Sequence, residues 1–280
     1  MPRGTGAYGL RLTGMAGASE LLLPAPETWS DWRIERLADA RPGVGSIGDD
    51  RAVVSLSASG SLVIDRATAT ATIASPSPPD DRELVHPYLA AVAAVAARWD
   101  GNQSFHCGGL VTGDGAWGVL GGREQGKSTL LAALERRGAS ILSDDLLVIR
   151  DGTALAGPRC VDLRADAATA LDAGERIGIV GARERWRVRL RPVVAEAPVR
   201  GWVVLRWGSG ATVRPVPPAE RLPLLLEHAT IGPDAVDPGA LLDLAALPML
   251  AFERPRRFDA VAETSDMLLD SLAARETSAT

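Results

Sequence analysis

Lysine is all but missing from this sequence. Of 30 Lys and Arg residues in 280, only Lys127 is a lysine. Arginine stands at every other basic position, so the one exception marks a place where a compact ammonium is needed and a planar guanidinium fork does not serve. Cysteine is scarce too. Cys107 and Cys160 lie far apart with no CxxC spacing, which excludes a disulfide framework and a cysteine zinc site and suits a reducing compartment. Both are expected as buried thiols. No run of 18 apolar residues occurs, and Met1-Pro2-Arg3-Gly4-Thr5-Gly6 has no signal-peptide core. The expectation is a cytoplasmic protein that does not cross a membrane. Basic excess is also absent. A net charge of −5 and a pI near 5.3 argue against a general nucleic-acid binder. There is no internal repeat and no long low-complexity tract.

What is present suffices for a real core, since 46% of the residues are hydrophobic. The length allows one large domain, or a nucleotide-binding domain with a smaller companion. Residues 1–82 read as a β-rich N-terminal region. Asp31 to Leu37 alternates polar and apolar. Arg51–Ser57 and Ser61–Asp65 flank Ala58-Ser59-Gly60 as a hairpin, and Ala67–Ala74 reads as a further strand. Ser75 to Asp81 is a proline-rich loop. Residues 83–280 read as a second, α/β region. It opens with a helix over Glu83–Trp99, capped by Asp80 or Asp81, with Leu84, Leu89, Val92 and Val95 on its buried stripe. His86, before Pro87 in the first turn, reads as structural. Ser104 to Val111 reads as one strand, and Asp114-Gly115 as a hairpin turn. Helices are expected over Pro218–His228 and about Phe258–Ala274. Arg183 to Arg191 alternates so that Trp186, Val188 and Leu190 share one face and the arginines another. That arginine face is expected to be solvated, or else an anion-binding wall.

The one stretch that announces chemistry is Gly121-Gly122-Arg123-Glu124-Gln125-Gly126-Lys127-Ser128-Thr129. It fits G-x-x-x-x-G-K-[ST], in which backbone N–H groups cradle phosphates, the lysine reaches them and the Ser hydroxyl ligates Mg²⁺. Ala116–Leu120 before it reads as a strand and Leu130–Arg137 after it as a helix stopped by Gly138, the context the motif needs. Soon afterwards the apolar strand Ala139–Ser143 ends in Asp144-Asp145. One of these carboxylates can hold Mg²⁺, and the other can take a proton from an attacking hydroxyl. A lysine, a metal and two carboxylates form a sufficient kit for phosphoryl transfer.

Residues 101–164 resemble the catalytic domain of the HPr kinase/phosphorylase family. Four features carry the resemblance in order: His106 before the P-loop, the P-loop, the segment Ile141-Leu142-Ser143-Asp144-Asp145-Leu146-Leu147-Val148, and Val161-Asp162-Leu163-Arg164, similar to the family's Glu-x-Arg segment. The resemblance implies an α/β P-loop domain with mixed sheets, with ATP (GTP is left open) and Mg²⁺ as its nucleotide and metal. It implies Lys127 and the loop from Gly121 to Thr129 on the phosphates. Ser128 and Asp145 would hold the metal, with Asp162 a further metal or acceptor ligand oriented by Arg164. Asp144 would be the base, supported by His106. The two aspartates are close to interchangeable in this reading. Ala165 after Arg164 departs from the family and argues against the phosphocarrier HPr as substrate. The chain looks more like compact relatives that phosphorylate a serine of a lasso-peptide precursor. The expected partner is therefore a peptide or small protein, with a homo-oligomer left open. A small-molecule hydroxyl kinase and a non-catalytic nucleotide-binding module are the alternatives.

Overall fold

A computed structural model describes residues 4–39, 43–56, 60–113, 115–180, 183–231 and 237–278. The turns expected at Ala58-Ser59-Gly60 and Asp114-Gly115 involve residues outside that set. The strands flanking both turns pair antiparallel.

The chain is a mixed α/β protein with a strand-rich N-terminal region. The first eight strands form one sheet, in the spatial order 23–24, 5–7, 10–13, 30–38, 70–75, 60–65, 51–56 and 46–47. Alternation sets its inner face. Trp32, Ile34, Leu62, Ile64, Ala71 and Ile73 are buried on it. Helix Leu89–Trp99 lies against this face through Leu89, Val92 and Val95, and Trp99 stacks on Trp32 with ring centroids 6.4 Å apart. The helical segment is started by a capping box. Asp80 accepts from the Glu83 N–H at 2.8 Å, and the Glu83 carboxylate accepts from the Asp80 N–H. By packing, then, the helix following residue 82 belongs to the core of the N-terminal sheet.

The second sheet has nine strands. At its centre, strand Gly115–Leu120 runs antiparallel to Cys107–Thr112 and parallel to Glu196–Trp207, which is parallel in turn to Met249–Arg254. Helices Lys127–Arg136 and Val261–Ser278 cover one face, with Leu130, Leu131, Leu134, Leu268 and Leu272 packed around Trp117 and Phe252. Ser104 to Val111 is not one strand. It divides at His106 into Gln103–Phe105 and Cys107–Thr112, which pair with different neighbours. A small sheet, in the order 160–163, 183–189, 175–180, stands beside the P-loop helix.

The two large sheets share a core. Leu146, Val148, Leu155 and Cys160 from the second region pack with Leu89, Val92 and the inner face of the first sheet. Polar ties cross the same seam. The Tyr8 N–H donates to the Ala156 carbonyl at 2.6 Å, the Tyr8 hydroxyl to the Asp144 carbonyl at 3.2 Å, and the Trp29 indole to Glu196 at 2.7 Å. Both cysteines are buried and free. No helix among the described residues is long and apolar enough to cross a membrane.

Candidate active site

A cleft of about 700 Å³ opens at the N-terminus of helix Lys127–Arg136. The P-loop forms one wall. Gly126 has φ +70°, a conformation favoured only for glycine, and a Cβ there would meet Arg254 Nη2 at 3.0 Å and Trp207 at 3.1 Å. The loop is braced from both ends. The Gly122 N–H donates to Gln125 Oε1 at 2.8 Å, and Arg254 Nη2 donates to the Gln125 carbonyl at 2.6 Å. Arg254 lies 4.3 Å from the Trp207 ring centroid and is buried. Burial lowers its proton affinity to about 10, so it stays cationic.

Of the predicted loop residues, Gly122, Arg123, Glu124, Gly126, Lys127, Ser128 and Thr129 line the cleft. Gly121 and Gln125 are turned to the rear. The Gly121 Cβ position would touch Leu205, and Gln125 spends its amide on the loop. His106, at the break between its two strands, points to the same place. Its Nε2 lies 3.3 Å from Lys127 Nζ. Burial, and then the Lys127 charge, lower its pKa, so the ring is neutral at pH 7.

Asp144 and Asp145 end strand Ser140–Ser143 and are not equivalent. Asp145 has φ +66°, a conformation disfavoured for non-glycine residues and often kept for functional reasons. Its side chain lines the cleft. Oδ1 lies 3.7 Å from Lys127 Nζ, and Oδ2 lies 3.1 Å from His86 Nε2. Asp144 is 2% exposed and does not line the cleft. Its Oδ1 accepts the Asp145 N–H at 2.9 Å, and its buried Oδ2 has no hydrogen-bond partner among the described residues. Burial, and then the Asp145 charge, push Asp144 up to about 6, while His86, Lys127 and the neighbouring Ser128 hydroxyl pull the other way. Burial alone would raise Asp145 as well. The His86 hydrogen bond, and then the charges of His86 and Lys127, hold it well below the usual carboxylate range.

His86 is the residue that sequence reasoning missed. Its place before Pro87 reads as structural, yet it is 4% exposed, lines the cleft and bonds to Asp145. The available signal was rarity. The chain has three histidines and one lysine. His86, His106 and Lys127 line this cleft, and the His228 carbonyl accepts the His106 N–H at 2.7 Å. Burial opposes the His86 charge, but Asp145, then Asp162 and Asp144, raise it from 6.5 to about 9. A histidine raised on folding contributes stability that is fully present below pH 6.5 and lost as pH rises through about 9. Thermal melts should therefore fall between those values, and His86→Gln should flatten that slope. An unchanged slope would show that His86 is not charged there.

Two expectations need correction. Asp162 borders the cleft, but its carboxylate is already committed elsewhere. Oδ1 and Oδ2 accept from Arg187 Nε and Nη2 at 2.7 and 2.6 Å, and both side chains are almost wholly buried. A carboxylate with both oxygens so committed is a structural ion pair rather than a metal ligand. Arg187 thus leaves the solvated arginine face, because its strand pairs with Cys160–Leu163 and puts it opposite Asp162. Nor does Arg164 orient Asp162. It donates to Glu124 Oε1 at 3.0 Å.

No cluster of three or more His, Cys, Asp or Glu among the described residues makes a preformed metal cage. Mg²⁺ does not require one, since it is commonly held by one or two carboxylates together with substrate phosphates. The unpartnered Asp144 Oδ2 beside Ser128 fits that pattern.

These features define a mixed α/β protein built around a P-loop. No family model matches the chain, and no curated protein does. Among solved structures it is similar to the Hpr(Ser) kinase/phosphatase from Coxiella burnetii, with 14% identity, a TM-score of 0.33, and coverage of 62% of this chain and 99% of that one. So distant a likeness says nothing of chemistry, which has to be argued from the side chains.

Proposed function

We propose that the protein is an ATP- and Mg²⁺-dependent kinase that transfers a phosphoryl group to a serine hydroxyl of a peptide or small protein. The observation that carries the reading is the meeting of Lys127, Ser128 and a partly buried carboxylate, Asp145, on the wall of one cleft. A module that only binds nucleotide has no need of a carboxylate held there by a buried histidine.

Each residue has a task. Lys127 and the N–H groups at the start of helix Lys127–Arg136 bind the β- and γ-phosphates. Ser128 and Asp144 would hold Mg²⁺, which when bound neutralises charge on the phosphates. Asp145 takes the proton of the acceptor hydroxyl as the new O–P bond forms and the bond to the β-phosphate oxygen breaks, releasing ADP. This assignment exchanges the roles expected for the two aspartates. Reach decides it, because a base has to touch its proton before its pKa matters. Asp145 is a weak base while it faces His86 and Lys127, and becomes a stronger one when a triphosphate draws the ammonium away. His106 and His86 fix the geometry around it.

Intact mass spectrometry of candidate peptides incubated with the protein, ATP and Mg²⁺ tests the reading. A gain of one phosphate supports it. Tight ATP binding with no transfer to any hydroxyl favours a binding module, and transfer only to small alcohols favours the small-molecule alternative. Lys127→Arg keeps the charge but not the compact ammonium, and should weaken nucleotide binding by about tenfold or more. Unchanged affinity in a fluorescent-nucleotide titration would mean that the single lysine is incidental.

A further inference from the structure

The cleft is far more cationic than the chain that builds it. Eight of its lining side chains are Arg or Lys and four are Asp or Glu, in a protein of net charge −5. Nucleotide phosphates account for the end at Lys127 and Ser128. They do not account for the arginines gathered around the tip of the P-loop.

Glu124 stands at that tip with φ +69°, a conformation disfavoured for any residue with a side chain. Its carboxylate accepts from Arg164 at 3.0 Å, and Arg183 and Arg256 also lie close enough for their charges to bear on it. These three arginines come from three different elements: the end of strand Cys160–Leu163, the strand Arg183–Arg189, and the segment after Met249–Arg254. Among the described residues, Arg123, Arg183 and Arg185 have no carboxylate within ion-pair distance, although all three line the cleft. Among the described residues Glu124 is the carboxylate paired at this end of the cleft, and the arginines around it can take more negative charge than it brings. The contact is half-exposed at both ends, so it exchanges readily with an incoming anion.

We propose that Arg164, Arg183 and Arg256 form an acceptor site for a second oxyanion, and that Glu124 occupies it until an acceptor bearing a phosphate or carboxylate displaces it. The acceptor is then an anionic molecule, with its own charged group held by arginine forks while its hydroxyl faces Asp145. Guanidinium suits both oxyanions because its paired N–H donors match two oxygens of either. This inference rests on the phosphotransfer reading for the existence of an acceptor.

The test uses the full chain saturated with Mg²⁺ and a non-hydrolysable ATP analogue, so that the γ-phosphate position is filled. Inorganic phosphate and acetate are then titrated separately by calorimetry. Saturable binding of either supports the site, and the tighter of the two tells a phosphorylated acceptor from a carboxylate one. Arg183→Gln should weaken that binding by about tenfold while leaving affinity for the analogue unchanged. Glu124→Gln should strengthen it several-fold by removing the internal competitor, with analogue affinity measured alongside. Absence of binding by both anions to the analogue-saturated protein overturns the inference and leaves the kinase reading standing. Loss of analogue affinity in Arg183→Gln also overturns it, by assigning the arginines to the nucleotide. Failure of the wild-type protein to bind the analogue at all would instead overturn the kinase reading itself.

Discussion

Asp145→Asn should lower phosphoryl transfer by about 10²–10⁴-fold, the range lost with a general base. It should not weaken ATP binding, because Asn removes the carboxylate that faces Lys127 across 3.7 Å. Asp144→Asn should behave differently. The carboxylate beside Ser128 would be gone, so the concentration of Mg²⁺ needed for half-maximal turnover should rise, and saturating Mg²⁺ should restore part of the rate. The two variants together decide the assignment. If Asp144→Asn loses the chemical step at every Mg²⁺ concentration while Asp145→Asn is rescued by metal, the roles are reversed and the buried aspartate is the base. Single-turnover rates at varied Mg²⁺ make the distinction, because they separate chemistry from nucleotide binding. His86→Gln should lie between wild type and Asp145→Asn in rate, since a neutral amide holds the Asp145 carboxylate in place less firmly than the imidazolium but still leaves a hydrogen-bond donor.

The parts of this site legible in the sequence were those that depend on local order along the chain. The P-loop was one, because a strand, a glycine turn and a helix start are consecutive, and the lone lysine marked its place. The two aspartates at the end of an apolar strand were another. Their division of labour was not legible. It depends on φ +66° at Asp145, which turns one carboxylate toward the cleft and leaves its neighbour buried beneath the P-loop serine. His86 was hidden for a similar reason. It lies 59 residues from Asp145 in the chain, and only the packing of Leu89, Val92 and Leu146 into one core brings the two side chains within 3.1 Å. The N-terminal sheet read as β-rich from alternation alone. That it borders the site through Tyr8 followed from register and packing, which alternation does not specify. The break of one expected strand at His106 had no sequence signal, since Ser104 to Val111 reads as continuous.

The arginine strand shows the same limit in its strongest form, and it predicts a large effect on stability. Arg183, Arg185, Arg187 and Arg189 are alike in sequence, yet among the described residues only Arg187 of the four meets a buried carboxylate, because antiparallel pairing sets it opposite Asp162. Asp162→Ala leaves that guanidinium buried without its partner and should cost about 3–5 kcal/mol, as when one half of a buried ion pair is removed. Arg187→Leu should cost a similar amount by stranding Asp162. The double variant Asp162→Leu with Arg187→Met should recover much of the loss, since neither charge then has to be desolvated. Urea denaturation midpoints at pH 7 measure all three. Asp162→Ala should also leave the Mg²⁺ requirement of the folded fraction unchanged. A variant that keeps its stability but needs more Mg²⁺ would return Asp162 to the metal. Recovery in the double variant would show instead that this pair fixes the small sheet beside the P-loop, and with it the position from which Arg183 and Arg185 face the cleft.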